Sequence, residues 1–283
     1  MNVKPDIKTD LTIERLSPTI GAVIHDVDLS KPVSQGLRDA IYQALVDHKV
    51  IFLRDQDITT EQHLAFGRLF GDLEIHPFSK NKKGAAEVLP ITHNRENKGK
   101  ENGWHSDVTW RLEPSLGSIL RAIQVPDVGG DTLFSDMEAA YDELDDTLKE
   151  KIDGLKARHD FPNFRRRLRA EGKDEDYIDE LRRKYPNPEH PVVRTHPDTG
   201  RKSLYVNIGF TQEILGLEKQ ESDELLTFLY SRAATPEYQC RFKWKKNSIA
   251  FWDNRSCQHY AASDYWPAVR KMERVTIMGD APV

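Results

Sequence analysis

The distribution of apolar runs most constrains the fold of this 283-residue chain. Short strand-like segments recur towards both ends, while helical segments are grouped rather than interleaved with them. Strands alternating with helices would build a doubly wound parallel sheet; grouped strands favour antiparallel sheets stacked face to face. Val50-Ile51-Phe52-Leu53 is a continuous apolar run after a helical segment, which reads as a strand buried on both faces. The pattern predicts further strands from Leu11 to Leu29 around Gly21, Val88 to Thr92, Trp104 to Trp110, Gly117 to Gln124, and Asp131 to Ser135 after a Gly129-Gly130 turn. Strand patterning returns from Pro191 to His196, Lys202 to Asn207, Gln239 to Lys243, Ser248 to Asp253 and Arg274 to Met278.

Helical periodicity covers Ser34 to His48, with Leu37, Ile41, Leu45 and Val46 on one face, and also Thr59 to Phe70, Met137 to Leu155 and Glu218 to Ser231. Thr59 or Thr60 is the expected cap of the second helix. Phe161 to Tyr185 carries Arg165-Arg166-Arg167 and Arg182-Arg183-Lys184, the mark of a solvated helical face. The expectation is a single mainly β domain over 1–283 with flanking helices, a sandwich or jelly roll, and a helical insertion at about 137–185.

Composition narrows the function classes. A net charge of −5 argues against a general nucleic-acid footprint. No apolar run approaches the ~20 residues that cross a bilayer, so no membrane partner is expected. Met1 to Asp10 lacks the apolar core of a secretory signal, and two cysteines, Cys240 and Cys257, are too few for a disulfide framework. The expected location is cytoplasmic, with both thiols reduced.

Within the β-rich part, His105-Ser106-Asp107 is joined far downstream by His259. Two imidazole nitrogens and one carboxylate oxygen can occupy one face of a metal ion and leave the other open, the arrangement suited to non-haem Fe(II). On an extended strand, residues two apart point to the same side, so His105 and Asp107 could reach one ion. Arg270 and Arg274 follow, four apart on an expected strand face; arginine forks bind oxyanions through paired hydrogen bonds. Taken alone, each arginine could equally pair with a neighbouring acid such as Glu273 or Asp280. Cys257, two residues from His259, reads as a packed thiol.

These segments, in this order, resemble the taurine dioxygenase-like (TauD/TfdA) family of Fe(II)/2-oxoglutarate-dependent dioxygenases. The residues that carry the resemblance are Phe52 to Gln56, Phe66 to Gly71, Trp104 to Thr109, Gly129 to Thr132, His190 to Arg194, Trp252 to Arg255, His259, Arg270 and Arg274. The resemblance spans nearly the whole chain. It implies a double-stranded β-helix (jelly roll), with His105, Asp107 and His259 as both metal ligands and catalytic centre. It implies Thr132 and Arg270 on the distal carboxylate of 2-oxoglutarate, and His76 and Arg274 around an anionic group of the substrate, with Phe161 and Tyr205 lining its pocket. The implied cofactors are Fe(II), 2-oxoglutarate and O2, and the implied partner is a small anionic substrate. The implied reaction hydroxylates taurine or a related alkyl sulfonate, releasing sulfite and an aldehyde with succinate and CO2. A homodimer or homotetramer is implied as well.

The sequence departs from the family pattern around the substrate. Phe78-Ser79 stands where a tyrosine is expected, Ile208 where an acid is expected, and Tyr205 where a phenylalanine is expected. The loop before His105 offers Glu101 or Asn102 to the substrate. An alkyl sulfate, a phenoxyalkanoate or another organic acid are therefore alternative substrates, and a non-catalytic jelly-roll metal-binding protein is the alternative outside enzymes. His25, His48, His63, His93, His159, His190 and His196 carry no second feature and read as structural or solvent-facing.

Overall fold

The computed structural model describes residues 11–75, 85–99 and 102–283. The chain opens with β1 (Thr12–Arg15), β2 (Ala22–His25), α1 (Gln35–His48), β3 (Val50–Leu53), α2 (Thr60–Arg68), β4 (Val88–His93), β5 (Gly117–Gln124) and β6 (Thr132–Asp136). Its middle holds α3 (Met137–Asp142), α4 (Asp146–Ile152), β7 (Lys156–His159), α5 (Pro162–Ala170), α6 (Glu175–Lys184), β8 (Glu189–Pro191), β9 (Val193–Thr195), β10 (Lys202–Leu204) and β11 (Thr211–Ile214). It finishes with α7 (Lys219–Arg232), β12 (Gln239–Phe242), β13 (Ile249–Asp253), β14 (Cys257–Ala261) and β15 (Arg270–Ile277).

Among the described residues, a seven-stranded sheet runs β1-β2-β3-β13-β5-β15-β4 and a three-stranded sheet runs β12-β6-β14. In the large sheet β2 and β3 are parallel and the other neighbours antiparallel. Side chains alternate across a strand, and that alternation divides the apolar runs between two cores. Val50 and Phe52 of β3, Ala250 and Trp252 of β13, and Met272 of β15 meet Phe134, Phe242 and Cys257 of the smaller sheet. Ile51, Leu53, Ile249 and Phe251 point the other way, onto Ile41 and Leu45 of α1 and Phe66 of α2. The unbroken apolar sequence of β3 follows from burial on both faces. Each such side chain contributes roughly 1.5–3 kcal/mol when fully buried. Two facing sheets with helices on one outer face make the mainly β jelly roll expected from the sequence.

Local chemistry sets the helix starts. Ser34 Oγ accepts from Leu37 N at 3.2 Å at the head of α1. Thr59 caps α2 in a reciprocal box with Gln62.

The expected helical insertion is more divided than its periodicity implied. Glu143, Leu144 and Asp145 separate α3 from α4, because the Asp145 carboxylate accepts from Leu148 N and starts a new helix. Strand β7 then intervenes before α5 and α6, pairing with β8 and β11. The expected strand from Pro191 to His196 is also split: β8 joins β7, whereas β9 pairs with β10.

Gly117 lies where β5 runs between β13 and β15, opposite Asp253 and Ile277. A Cβ there would stand 2.4 Å from the backbone oxygen of Trp252, which the ladder holds in place. Gly117→Ala is expected to lower stability by about 1–3 kcal/mol, the usual cost of overpacking. Urea unfolding of the two proteins measures this.

Candidate metal centre

Two backbone hydrogen bonds join distant parts of the sequence. His105 N donates to His259 O at 3.1 Å, and His259 N donates to His105 O at 2.8 Å, an isolated antiparallel bridge that seats His105 beside β14. The segment from Trp104 to Trp110 is thus one bridge followed by a turn over 107–110, not the strand expected. The reason is local. Val108 has φ of 48°, in the left-handed region, which ends the extended backbone directly after Asp107.

His105 and Asp107 still converge, because a side chain substitutes for the missing strand partner. Asn254 Oδ1 accepts from Asp107 N at 2.6 Å, and its Nδ2 donates to Asp107 O at 2.9 Å. The next turn is held from behind. Thr109 Oγ1 pairs with His159 Nδ1 and accepts from Asn207 Nδ2, both at 3.0 Å, while His190 Nε2 donates to the carbonyls of Thr109 and Arg111. A β-branched residue with positive φ costs about 1–3 kcal/mol, and this buried network holds it there. Burial pushes His159 down to about 3 and His190 to about 4, so both remain neutral hydrogen-bonding groups.

Asp107 Oδ1 lies 3.8 Å from His105 Nε2 and 3.9 Å from His259 Nε2. One ligand atom from each residue falls within 4.8 Å of the other two. His105 Nδ1 is 2.8 Å from the carbonyl of Gly103, so this nitrogen carries the proton and Nε2 offers its lone pair to the centre. Burial, with His105 alongside, pushes the His259 imidazole down to about 3 and keeps it neutral. Burial alone would raise the Asp107 carboxyl, but the Arg274 guanidinium, helped by the Ser118 hydroxyl, holds it well below the usual carboxylate range. Neutral imidazoles and an ionised carboxylate are the forms that bind a divalent metal, and the donor set fits one.

The two arginines lie on β15, on either side of Met272, whose side chain faces the core between the sheets. Arg274 Nη1 donates to Asp107 Oδ1 at 2.8 Å, while its Nε is buried without an acceptor. Arg270 is buried, with its guanidinium 5.8 Å from the Trp244 ring and 6.0 Å from the Tyr265 ring. Trp244 Nε1 in turn donates to Thr132 Oγ1 at 2.9 Å, which brings Thr132 and Arg270 to one end of the pocket. Ile91, Leu120 and Trp252 supply its apolar wall.

The structure therefore brings His105, Asp107, His259, Thr132, Arg270 and Arg274 together. Two of the other expected site residues fall elsewhere. Phe161 stacks on Trp110 at 5.8 Å in a separate cavity and approaches the candidate centre through Phe210, whose ring is 5.2 Å from Phe161 and 6.2 Å from His105. Tyr205 is buried outside the pocket lining, because its ring packs beneath the Arg194 guanidinium at 5.0 Å and against His190 at 5.9 Å. Asn102 is exposed, and His76, Phe78, Ser79 and Glu101 lie outside the described residues.

Sequence reasoning missed His93, which lines the pocket and shares a 2.6 Å hydrogen bond with the Tyr265 hydroxyl. Extending the expected strand from Thr92 by one residue would have put His93 on the face of Ile91, opposite Arg270 in the β4–β15 register.

Comparison with known proteins agrees with this geometry. Residues 12–276 match the family described as Taurine catabolism dioxygenase TauD, TfdA family. An alkylsulfatase of Acinetobacter baylyi is 33% identical over 276 residues, covering 95% of this chain and 86% of that protein. An alpha-ketoglutarate-dependent sulfate ester dioxygenase of Pseudomonas putida is 34% identical over 283 residues, covering 97% and 91% respectively. The crystal structure of a taurine dioxygenase from Burkholderia xenovorans superposes with a TM-score of 0.83 at 36% identity, over 96% of this chain and 91% of that one. With a His-Asp-His cluster and paired arginines in a jelly roll, the chain belongs to the TauD, TfdA family of dioxygenases.

Proposed function

We propose that this chain is an Fe(II)- and 2-oxoglutarate-dependent dioxygenase that hydroxylates a small organic oxyanion, taurine or a related alkyl sulfonate, at the carbon bearing sulfur. The observation that carries this reading is the convergence of three metal-type donors with two core-facing arginines in one pocket between the sheets. Thr132 and Arg270 would hold the distal carboxylate of 2-oxoglutarate and direct its keto acid end towards His105, Asp107 and His259. Arg274, with a buried Nε still to be satisfied, would take the sulfonate and orient the adjacent C–H bond. Iron, when bound, couples oxidative decarboxylation of 2-oxoglutarate by O2 to insertion of one oxygen atom into that bond. A carbon bearing both hydroxyl and sulfonate then releases sulfite and becomes an aldehyde, beside succinate and CO2. Ile91, Leu120 and Trp252 exclude water from the reacting face.

A sulfate ester is the second reading. The relatives named for alkyl sulfates and sulfate esters favour it. The same hydroxylation beside the ester oxygen would release sulfate instead of sulfite. Phenoxyalkanoates and other organic acids complete the panel. The reading includes a cytoplasmic homodimer or homotetramer. Two buried free cysteines accord with a reducing compartment, and no helix among the described residues is long and apolar enough to cross a membrane.

Anaerobic addition of Fe(II) and 2-oxoglutarate is expected to give a weak visible charge-transfer band, and His105→Ala is expected to abolish both the band and turnover. A protein that binds metal without that band would defeat the cosubstrate assignment. Arg270→Ala should raise the 2-oxoglutarate KM more than the substrate KM. Arg274→Ala should weaken substrate binding by roughly 2–5 kcal/mol, the cost of stripping a buried anion of its charged partner, while sparing the cosubstrate; unchanged substrate affinity would remove Arg274 from the pocket. Succinate production across the anion panel, read beside sulfite and sulfate release, separates the substrate classes.

A further inference from the structure

The two oxygens of Asp107 have different surroundings. Oδ1 faces His105 Nε2, His259 Nε2 and Arg274. Oδ2 is turned away from them and accepts a hydrogen bond from Ser118 Oγ at 3.0 Å. Ser118 is fully buried on β5, and its hydroxyl is also 3.3 Å from Thr276 Oγ1, its cross-strand partner on β15. A serine hydroxyl has one proton to give. Between a carboxylate and a neutral hydroxyl, the carboxylate is the stronger acceptor. The Ser118 proton therefore goes to Asp107, and Thr276 donates to Ser118 in turn. Arg274 approaches Oδ1 and cannot by itself decide which way Oδ2 points.

We propose that Ser118 is a positioning residue of the metal centre: its hydrogen bond to Oδ2 fixes the Asp107 carboxylate so that Oδ1 alone is presented to the metal. A carboxylate free to rotate would swing Oδ1 away from the His105 and His259 nitrogens, and the metal would lose part of its third donor. Ser118 has no place among the residues that motif reading selected, because it lies outside the metal and arginine motifs and meets Asp107 only through the fold. The inference rests on the reading of His105, Asp107 and His259 as the metal site.

The test is Mn(II) binding to the full chain, followed by the loss of the free-ion paramagnetic resonance signal, with folding checked by thermal unfolding of the metal-free proteins. Ser118→Ala is expected to weaken Mn(II) binding by about 10–100-fold, the range for removing a partner that orients a metal ligand. Ser118→Cys, close in shape and a poor donor, is expected to act in the same direction and serves if the alanine variant does not fold. Thr276→Val, which removes the other partner of Ser118, is expected to stay within about threefold of the unaltered protein. A purely structural cross-strand role predicts instead that the Ser118 and Thr276 variants lose stability alike and keep metal affinity. Mn(II) affinity within twofold of the unaltered protein in a folded Ser118 variant overturns the proposal. If the unaltered chain itself binds no Mn(II), the metal reading fails first, and the two failures are distinguishable.

Discussion

Everything at the centre depends on one reciprocal pair of backbone hydrogen bonds between His105 and His259. They connect a segment outside the sheets to the edge strand β14, which β6 holds in register through Cys257, Gln258 and His259. A single bridge is a weak fastening, since each hydrogen bond contributes only about 0.5–1.5 kcal/mol net. The turn is secured by side chains instead. Asn254 grips both backbone groups of Asp107, and Thr109 is enclosed by His159, His190 and Asn207. The result is a candidate ligand pair on a strained turn that the buried Asn254 and Ser118 grip, which limits how far Asp107 can drift.

Charge at the centre is limited by keeping His259 neutral. Asp107 faces Arg274, with Glu74 also within electrostatic reach, and the buried His259 is held uncharged. With Arg270 buried at the other end of the pocket, two guanidinium groups share a small volume in a chain whose net charge is −5. Arg274 already meets Asp107 there, so its charge is partly balanced within the protein.

Much of this was legible in the sequence. Apolar runs located β3 and β13, because a strand buried on both faces leaves a continuous signature. The i, i+4 spacing of Arg270 and Arg274 placed both on one face of β15, and the two-residue spacing of His105 and Asp107 pointed to one ion. The reason given for that second spacing was incorrect: a turn and Asn254, not strand alternation, bring the pair together. Sequence could not show this, since Asn254 is distant in the chain and its role depends on where β13 ends. Tyr205 was misplaced for a related reason. An aromatic residue near a pocket in sequence can be claimed by a neighbouring polar cluster, here Arg194 with His159 and His190.

The division of labour between the two faces of the large sheet explains why so polar a pocket can exist in so apolar a sandwich. On the outer face, α1 and α2 cover Ile51, Leu53, Ile249 and Phe251, with the buried His63 of α2 bonded to the carbonyl of Ile119. On the inner face, the apolar set of Phe52, Phe134 and Phe242 fills one end, with Phe52 and Phe242 stacked at 3.9 Å. The other end is left to Arg270, Thr132 and the metal ligands. Trp252 belongs to both, packing with Phe134 at 5.8 Å and with the His259 ring at 4.9 Å. A core that rigid on one side is what allows buried charges on the other to be aimed at ligands instead of collapsing onto one another. The site is thus a deliberate gap in the packing between two sheets, and its walls keep their shape because the strands that form them are covered on their opposite faces.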